Sequence, residues 1–105
     1  MTINLVIAPR AEQDINNQID FGVQKFGRIV AERSFERIFD FLENVLIYYP
    51  RSGNFDPGTR TYTCWIPRTP FVVLYKIDKQ KNDLIVVALY HHAQDRSSIE
   101  RDTED

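Results

Sequence analysis

The apolar run Leu84-Ile85-Val86-Val87-Ala88-Leu89-Tyr90 ends in His91-His92 and continues as Ala93-Gln94-Asp95-Arg96. A strand with this ending delivers imidazoles, a carboxylate and a guanidinium to one edge of a small sheet. Imidazole is the side chain best poised for proton transfer near neutral pH. Acid–base chemistry of that kind also needs a cation where negative charge develops. Arg60, Arg68 and Arg96 are the candidate cations, and Tyr62 and Trp65 are candidate aromatic anchors for a partner.

Each of these residues also has an ordinary structural role. Successive strand residues point to opposite faces, so at most one of His91 and His92 is expected to face a given site, the other being a satisfied polar group at a strand end. Adjacent histidines lack the spacing of a metal pair on one face, so no metal and no cofactor is expected. The arginines suit either a patch for nucleic acid or an acidic partner, or a solvated rim with ion pairs. Tyr62 and Trp65 suit the core of so small a chain.

The chain has 105 residues, enough for one core. Its 43% hydrophobic and 27% charged residues are ordinary globular composition. The net charge of −2 with a pI near 5.6 speaks against a protein that coats nucleic acid. No apolar run approaches the ~20 residues of a membrane span, and the expected location is the cytoplasm. The single Cys64 excludes an internal disulfide and reads as a small buried hydrophobe.

Several elements must position the candidates. Thr2–Ile7 alternates as a strand. Pro9 opens a helix whose face is Ala11, Ile15, Ile19, Val23 and Phe26, and Gly27 ends it. A second helix follows at once, with a stripe of Ala31, Phe35, Ile38, Phe39, Leu42, Val45, Leu46 and Tyr49 assigned to the core, and Pro50 stops it. The short joint predicts an antiparallel hairpin. Asp14, in the opening turns, favours the positive end of the helix dipole. Residues 51–58 read as loop. Three strands follow, around Tyr62–Ile66, Phe71–Ile77 and Leu84–Tyr90, the last two apolar enough for cover on both faces. The expected fold is a β-α-α-β-β-β two-layer α+β domain over residues 1–96. In it the helical hairpin packs on an antiparallel sheet to which the first strand returns. Residues 97–105 form a polar, acidic tail.

Several segments together resemble the RelE/ParE superfamily of bacterial type II toxin–antitoxin toxins, closest to the ParE branch. They are Pro9-Arg10-Ala11 with Asp14-Ile15, Phe35 to Leu46, Pro50 with Gly53, Arg60, Pro70 to Ile77, and Leu89 to Arg96. The resemblance implies one of two activities, mRNA cleavage on the ribosome (RelE-like) or poisoning of DNA gyrase (ParE-like). RelE-like chains carry a basic residue in the central strand, where this chain has Val72 and Val73. They carry basic residues and an aromatic hydroxyl after the last strand, where it has Gln94 and Glu100. The expectation is therefore a growth-inhibiting toxin that binds gyrase and has no catalytic residues of its own. Its expected binding set is Arg60, Tyr62, Trp65, Arg68, His92 and Arg96. A ParD-like or other small cognate antitoxin would neutralise it in a hetero-oligomer. The alternative is a ribosome-dependent mRNA endoribonuclease using His91, His92, Arg60 and Arg96.

Overall fold

A computed structural model describes residues 2–92, so Arg96 and the tail expected over residues 97–105 lie outside the described residues. The elements run β1 (Asn4–Ile7), α1 (Pro9–Phe26), α2 (Arg28–Phe41), a π-helical turn (Leu42–Leu46), β2 (Asn54–Asp56), β3 (Thr61–Trp65), β4 (Phe71–Asp78) and β5 (Asp83–His91). The five strands form one sheet in the order β1-β5-β4-β3-β2. The fold is the expected α+β domain, with a helical hairpin packed against a mostly antiparallel sheet. The first strand does return to the sheet, as a parallel edge partner of β5, while the other pairs are antiparallel. A β-strand hidden in the segment read as loop, β2, forms the opposite edge.

The core lies between the hairpin and one sheet face. Ala11 and Ile15 of α1, Ile38 and Phe41 of α2, and Leu42 and Leu46 of the π-helical turn meet Val73, Tyr75, Leu84, Val86 and Leu89. The register sets this alternation: Tyr62 pairs with Tyr75 and Cys64 with Val73, all on the helix side. On the other face Val72, Leu74, Ala88 and Tyr90 form a second, smaller buried cluster, in keeping with the nearly continuous apolar character of β4 and β5.

Two helical expectations are corrected. The second stripe does not continue as one α-helix to Tyr49. The wider π-helical turn shifts the phase of the side chains beyond Phe41, leaving Val45 and Tyr49 exposed. Phe35 is also exposed, as are Val23 and Phe26 at the end of the first stripe, and Phe26 and Phe35 line an open cleft rather than the core. Gly27 serves as the cap of both helices, with φ 92° and ψ 165°. The positive φ fits the expectation of a helix-ending glycine. The ψ places it in an extended conformation that glycine alone adopts readily.

Candidate functional site

Tight turn chemistry at the β3–β4 end of the sheet assembles a ladder of rings. Ile66 donates its N–H to the Phe71 carbonyl at 2.9 Å, and the Thr69 hydroxyl donates to the Ile66 carbonyl at 2.8 Å while accepting from the Phe71 N–H at 3.2 Å. The Trp65 indole donates to the Thr69 carbonyl at 2.8 Å, which fixes its ring while 55% of the residue stays exposed. His92 stacks on Trp65 with centroids 5.0 Å apart and planes 20° apart. His91 meets the edge of Phe71, its cross-strand partner.

The histidine expectation needs amendment. Their ring centroids are only 4.6 Å apart, so both belong to one ladder. His91 is the last residue of β5 and His92 already lies in a turn, its N–H held by the Pro70 carbonyl at 2.9 Å. Strand alternation therefore lapses between them. Arg68 sits at the exposed tip of the same turn with φ 64°, and its carbonyl accepts from the Arg37 guanidinium at 3.4 Å.

Arg60 and Tyr62 are not part of this ladder. They lie at the opposite end of β3, whose five residues separate the two groups by ~13 Å at the usual rise per residue. Arg60 closes the β2–β3 turn in a left-handed conformation, φ 57°, with its N–H donating to the Asp56 carbonyl at 2.8 Å. Tyr62 is buried and stacks on Tyr75 with planes 9° apart, so of the two candidate anchors one is core and the other, Trp65, is surface.

Sequence reasoning missed Tyr75 as an organiser of this second end. Its hydroxyl donates to the Pro50 carbonyl at 2.8 Å and accepts from the Gly53 N–H at 3.2 Å, tying the loop after the π-helical turn to the central strand. Burial pushes its phenol up to about 12. Cys64 is partly buried, and burial raises its thiol as well, which argues against a reactive thiolate. Asp14 does more than sit near a helix dipole. One carboxylate oxygen accepts from Arg10 and the other from the Leu89 N–H of β5, both at 3.1 Å. Among the described residues no group of His, Cys, Asp and Glu is placed to hold a metal ion, and no helix is long and apolar enough to cross a membrane.

The hairpin supplies a further concave surface, a cleft of about 690 Å³ with Phe21, Phe26, Val30, Phe35 and Phe71 among its walls and His91 at its rim. Of these, Phe26 and Phe35 belong to the apolar stripes of the two helices, whereas Phe21 and Val30 lie outside them.

The fold has solved relatives. It is similar to a chain of the chromosomal ParDE system from P. aeruginosa, with a TM-score of 0.67 and 14% identity over 86% of this chain and 96% of that one. It is similar to a chain of the RelBE2 toxin–antitoxin complex from Mycobacterium tuberculosis, with a TM-score of 0.60 and 18% identity over 87% of this chain and 99% of that one. A free mutant of the E. coli toxin RelE follows, with a TM-score of 0.54 and 17% identity over 98% of this chain and 94% of that one. No curated protein sequence matches. The model of one family, the ParE toxin of the type II toxin–antitoxin system parDE, matches residues 5–96. This protein belongs to that family and is a type II toxin of the ParE/RelE superfamily.

Proposed function

We propose that the protein inhibits bacterial growth by binding DNA gyrase, without chemistry of its own, and that a small cognate antitoxin neutralises it in a hetero-oligomer. The observation that carries this reading is the ring ladder, in which both imidazoles pack against other rings while Arg60 stands at the other end of β3. Proton transfer and charge stabilisation on one phosphate require a base and a cation within hydrogen-bond reach of the same atoms. Of the candidate cations among the described residues, Arg60 is separated from His91 and His92 by the length of β3, and Arg68 alone shares their end, on the exposed tip of the β3–β4 turn. His92 stacks on Trp65 and His91 meets the edge of Phe71, packing that suits a contact surface. Where the resemblance to RelE-like chains implies a basic residue in the central strand, this chain has Val72 and Val73.

Support for the antitoxin comes from the toxin–antitoxin complexes among the similar structures and from the hairpin cleft. Phe21, Phe26 and Val30 are each about half exposed there, a patch that a monomer seldom leaves open. An amphipathic antitoxin helix laid along the cleft would bury it. The second face of the sheet, expected to need cover because β4 and β5 are apolar on both sides, already buries Val72, Leu74, Ala88 and Tyr90.

The deciding experiment gives the purified chain to two assays. Inhibition of DNA supercoiling by gyrase, with intact mRNA in a translating extract, is the expected result. Cleavage of translated mRNA with unimpaired gyrase would replace this reading by the endoribonuclease one.

A further inference from the structure

At the end of the sheet away from the histidines, three cations from separate segments converge on one aromatic wall. Arg51 comes from the loop after the π-helical turn, Arg60 from the β2–β3 turn and Lys79 from the β4–β5 turn. All three are exposed, and with Phe55 and Tyr62 they line a cleft of about 740 Å³ in which no carboxylate is among the lining residues. In a protein of net charge −2, such a local excess of positive charge is a recognition feature rather than a property of the whole surface.

The wall is built outward from the core. Tyr75, held through its hydroxyl, stacks on Tyr62 with centroids 5.1 Å apart, and Phe55 packs on Tyr62 at 4.8 Å. Phe55 keeps 51% of its surface exposed. Its ring is therefore positioned before any ligand arrives, with open area left for a second planar group. Asp56, the nearest acid on β2, faces away from Phe55 by strand alternation and accepts the Gly58 N–H at 2.9 Å. Arg51 lends one N–H to the Tyr62 hydroxyl at 3.4 Å and retains four other donors.

We propose that this cleft binds a single-stranded segment of nucleic acid, with phosphates on Arg51, Arg60 and Lys79 and one unpaired base on Phe55. Guanidinium and ammonium groups around an ordered, half-exposed ring are the combination that holds a phosphodiester strand without reading its sequence. A base reaches a ring on a cleft wall only when it is unpaired, so duplexes are disfavoured. An acidic peptide fits less well. Adding it as a strand would use the outer edge of β2, which is three residues long and is followed at once by Pro57, leaving few main-chain groups to pair. The site uses none of the residues of the ring ladder, and it takes Arg60 and Tyr62 from the binding set expected from the sequence.

The test is fluorescence anisotropy with the full chain and a labelled oligothymidylate of about ten nucleotides at about 50 mM salt, where phosphate contacts are strongest. Binding is expected to weaken as salt rises, and Arg60→Asn and Lys79→Gln should each flatten the log–log salt slope by about 0.7. Asparagine tolerates the left-handed backbone at position 60, which protects the turn. Phe55→Ala should lower affinity about fivefold or more with the slope unchanged, and Phe55→Trp should restore it. Absence of binding, equal affinity for a duplex of the same length, or failure of Phe55→Ala to weaken binding in a folded protein would overturn the proposal. Displacement of the oligonucleotide by an oligoglutamate of equal charge, with Phe55→Ala indifferent to that peptide, would assign the cleft to an acidic peptide instead.

Discussion

Single side chains fasten the elements of this toxin at points where the backbone needs a partner. Asp14 is the clearest case. Its carboxylate, 16% exposed, joins Arg10 on its own helix to the Leu89 N–H of β5, next to the irregularity where Leu74 pairs with Ala88 but Tyr75 pairs with Val86. Asp14→Ala would leave that strand N–H without its acceptor, a loss of about 1–3 kcal/mol. In a domain of this size each kcal/mol moves Tm by about 4–8 °C, so thermal unfolding followed by circular dichroism should show the drop. Asp14→Asn keeps one acceptor oxygen and should recover part of it. Tyr75 makes a pH-dependent contribution. Its phenol titrates near 10 when unfolded and about 12 when folded, so the folded state favours the neutral form. That stabilisation is complete below pH 10 and is lost as pH rises from 10 through about 12. Denaturant titrations of wild type and Tyr75→Phe across this range should converge as the wild type loses the difference. Neither role was legible in the sequence, because local patterns report neighbours three and four residues apart whereas Asp14 and Leu89 are 75 residues apart.

At the scale of elements, the sequence was read well where one physical signal acted alone. Pro9 set the start of α1, Gly27 set its end, and alternation set β3 and the register of its inward residues. It was read poorly where two signals competed. Leu42, Val45, Leu46 and Tyr49 continue an apolar stripe, yet the backbone widens into a π-helical turn there and buries only Leu42 and Leu46. Turn residues Gly53, Pro57 and Gly58 concealed β2, a three-residue strand held by hairpin pairing with β3 rather than marked by a pattern of its own. Gly27 offers a clean element-scale test. A Cβ there would meet nothing within 4 Å, so a substitution changes only the backbone preference. Since φ 92° with ψ 165° is open to glycine almost alone, Gly27→Ala should destabilise by about 1–3 kcal/mol through strain at the joint of the hairpin. A midpoint of chemical denaturation unchanged from wild type would show that the hairpin relaxes around the new residue.

Across the whole molecule, the hairpin cleft and the ring ladder adjoin at Phe71 and His91, and the basic cleft lies at the far end of β3. If the antitoxin covers the hairpin cleft, mass action raises the melting temperature of the toxin at saturating antitoxin, and Phe26→Ser should diminish that rise more than it changes the free toxin. The ring ladder allows the sharper test. A general base contributes ~10²–10⁴-fold to a reaction rate, so removing one abolishes an enzymatic toxin at ordinary expression. Removing a surface contact costs about 1–2 kcal/mol and leaves a weakened but active inhibitor. His91→Ala and His92→Ala should therefore each preserve growth arrest, and the double variant should still inhibit supercoiling by gyrase if it remains folded. His92→Ala gives up the stack on Trp65, worth about 0.5–1.5 kcal/mol, and His92→Phe should recover that packing because it replaces one ring by another. Recovery of full toxicity by phenylalanine, which carries no proton to exchange, is the result a binding surface requires. Complete loss in both His92 variants with an unchanged circular-dichroism spectrum, together with mRNA cleavage by the wild type during translation, would make the imidazole a catalytic base and the protein an endoribonuclease.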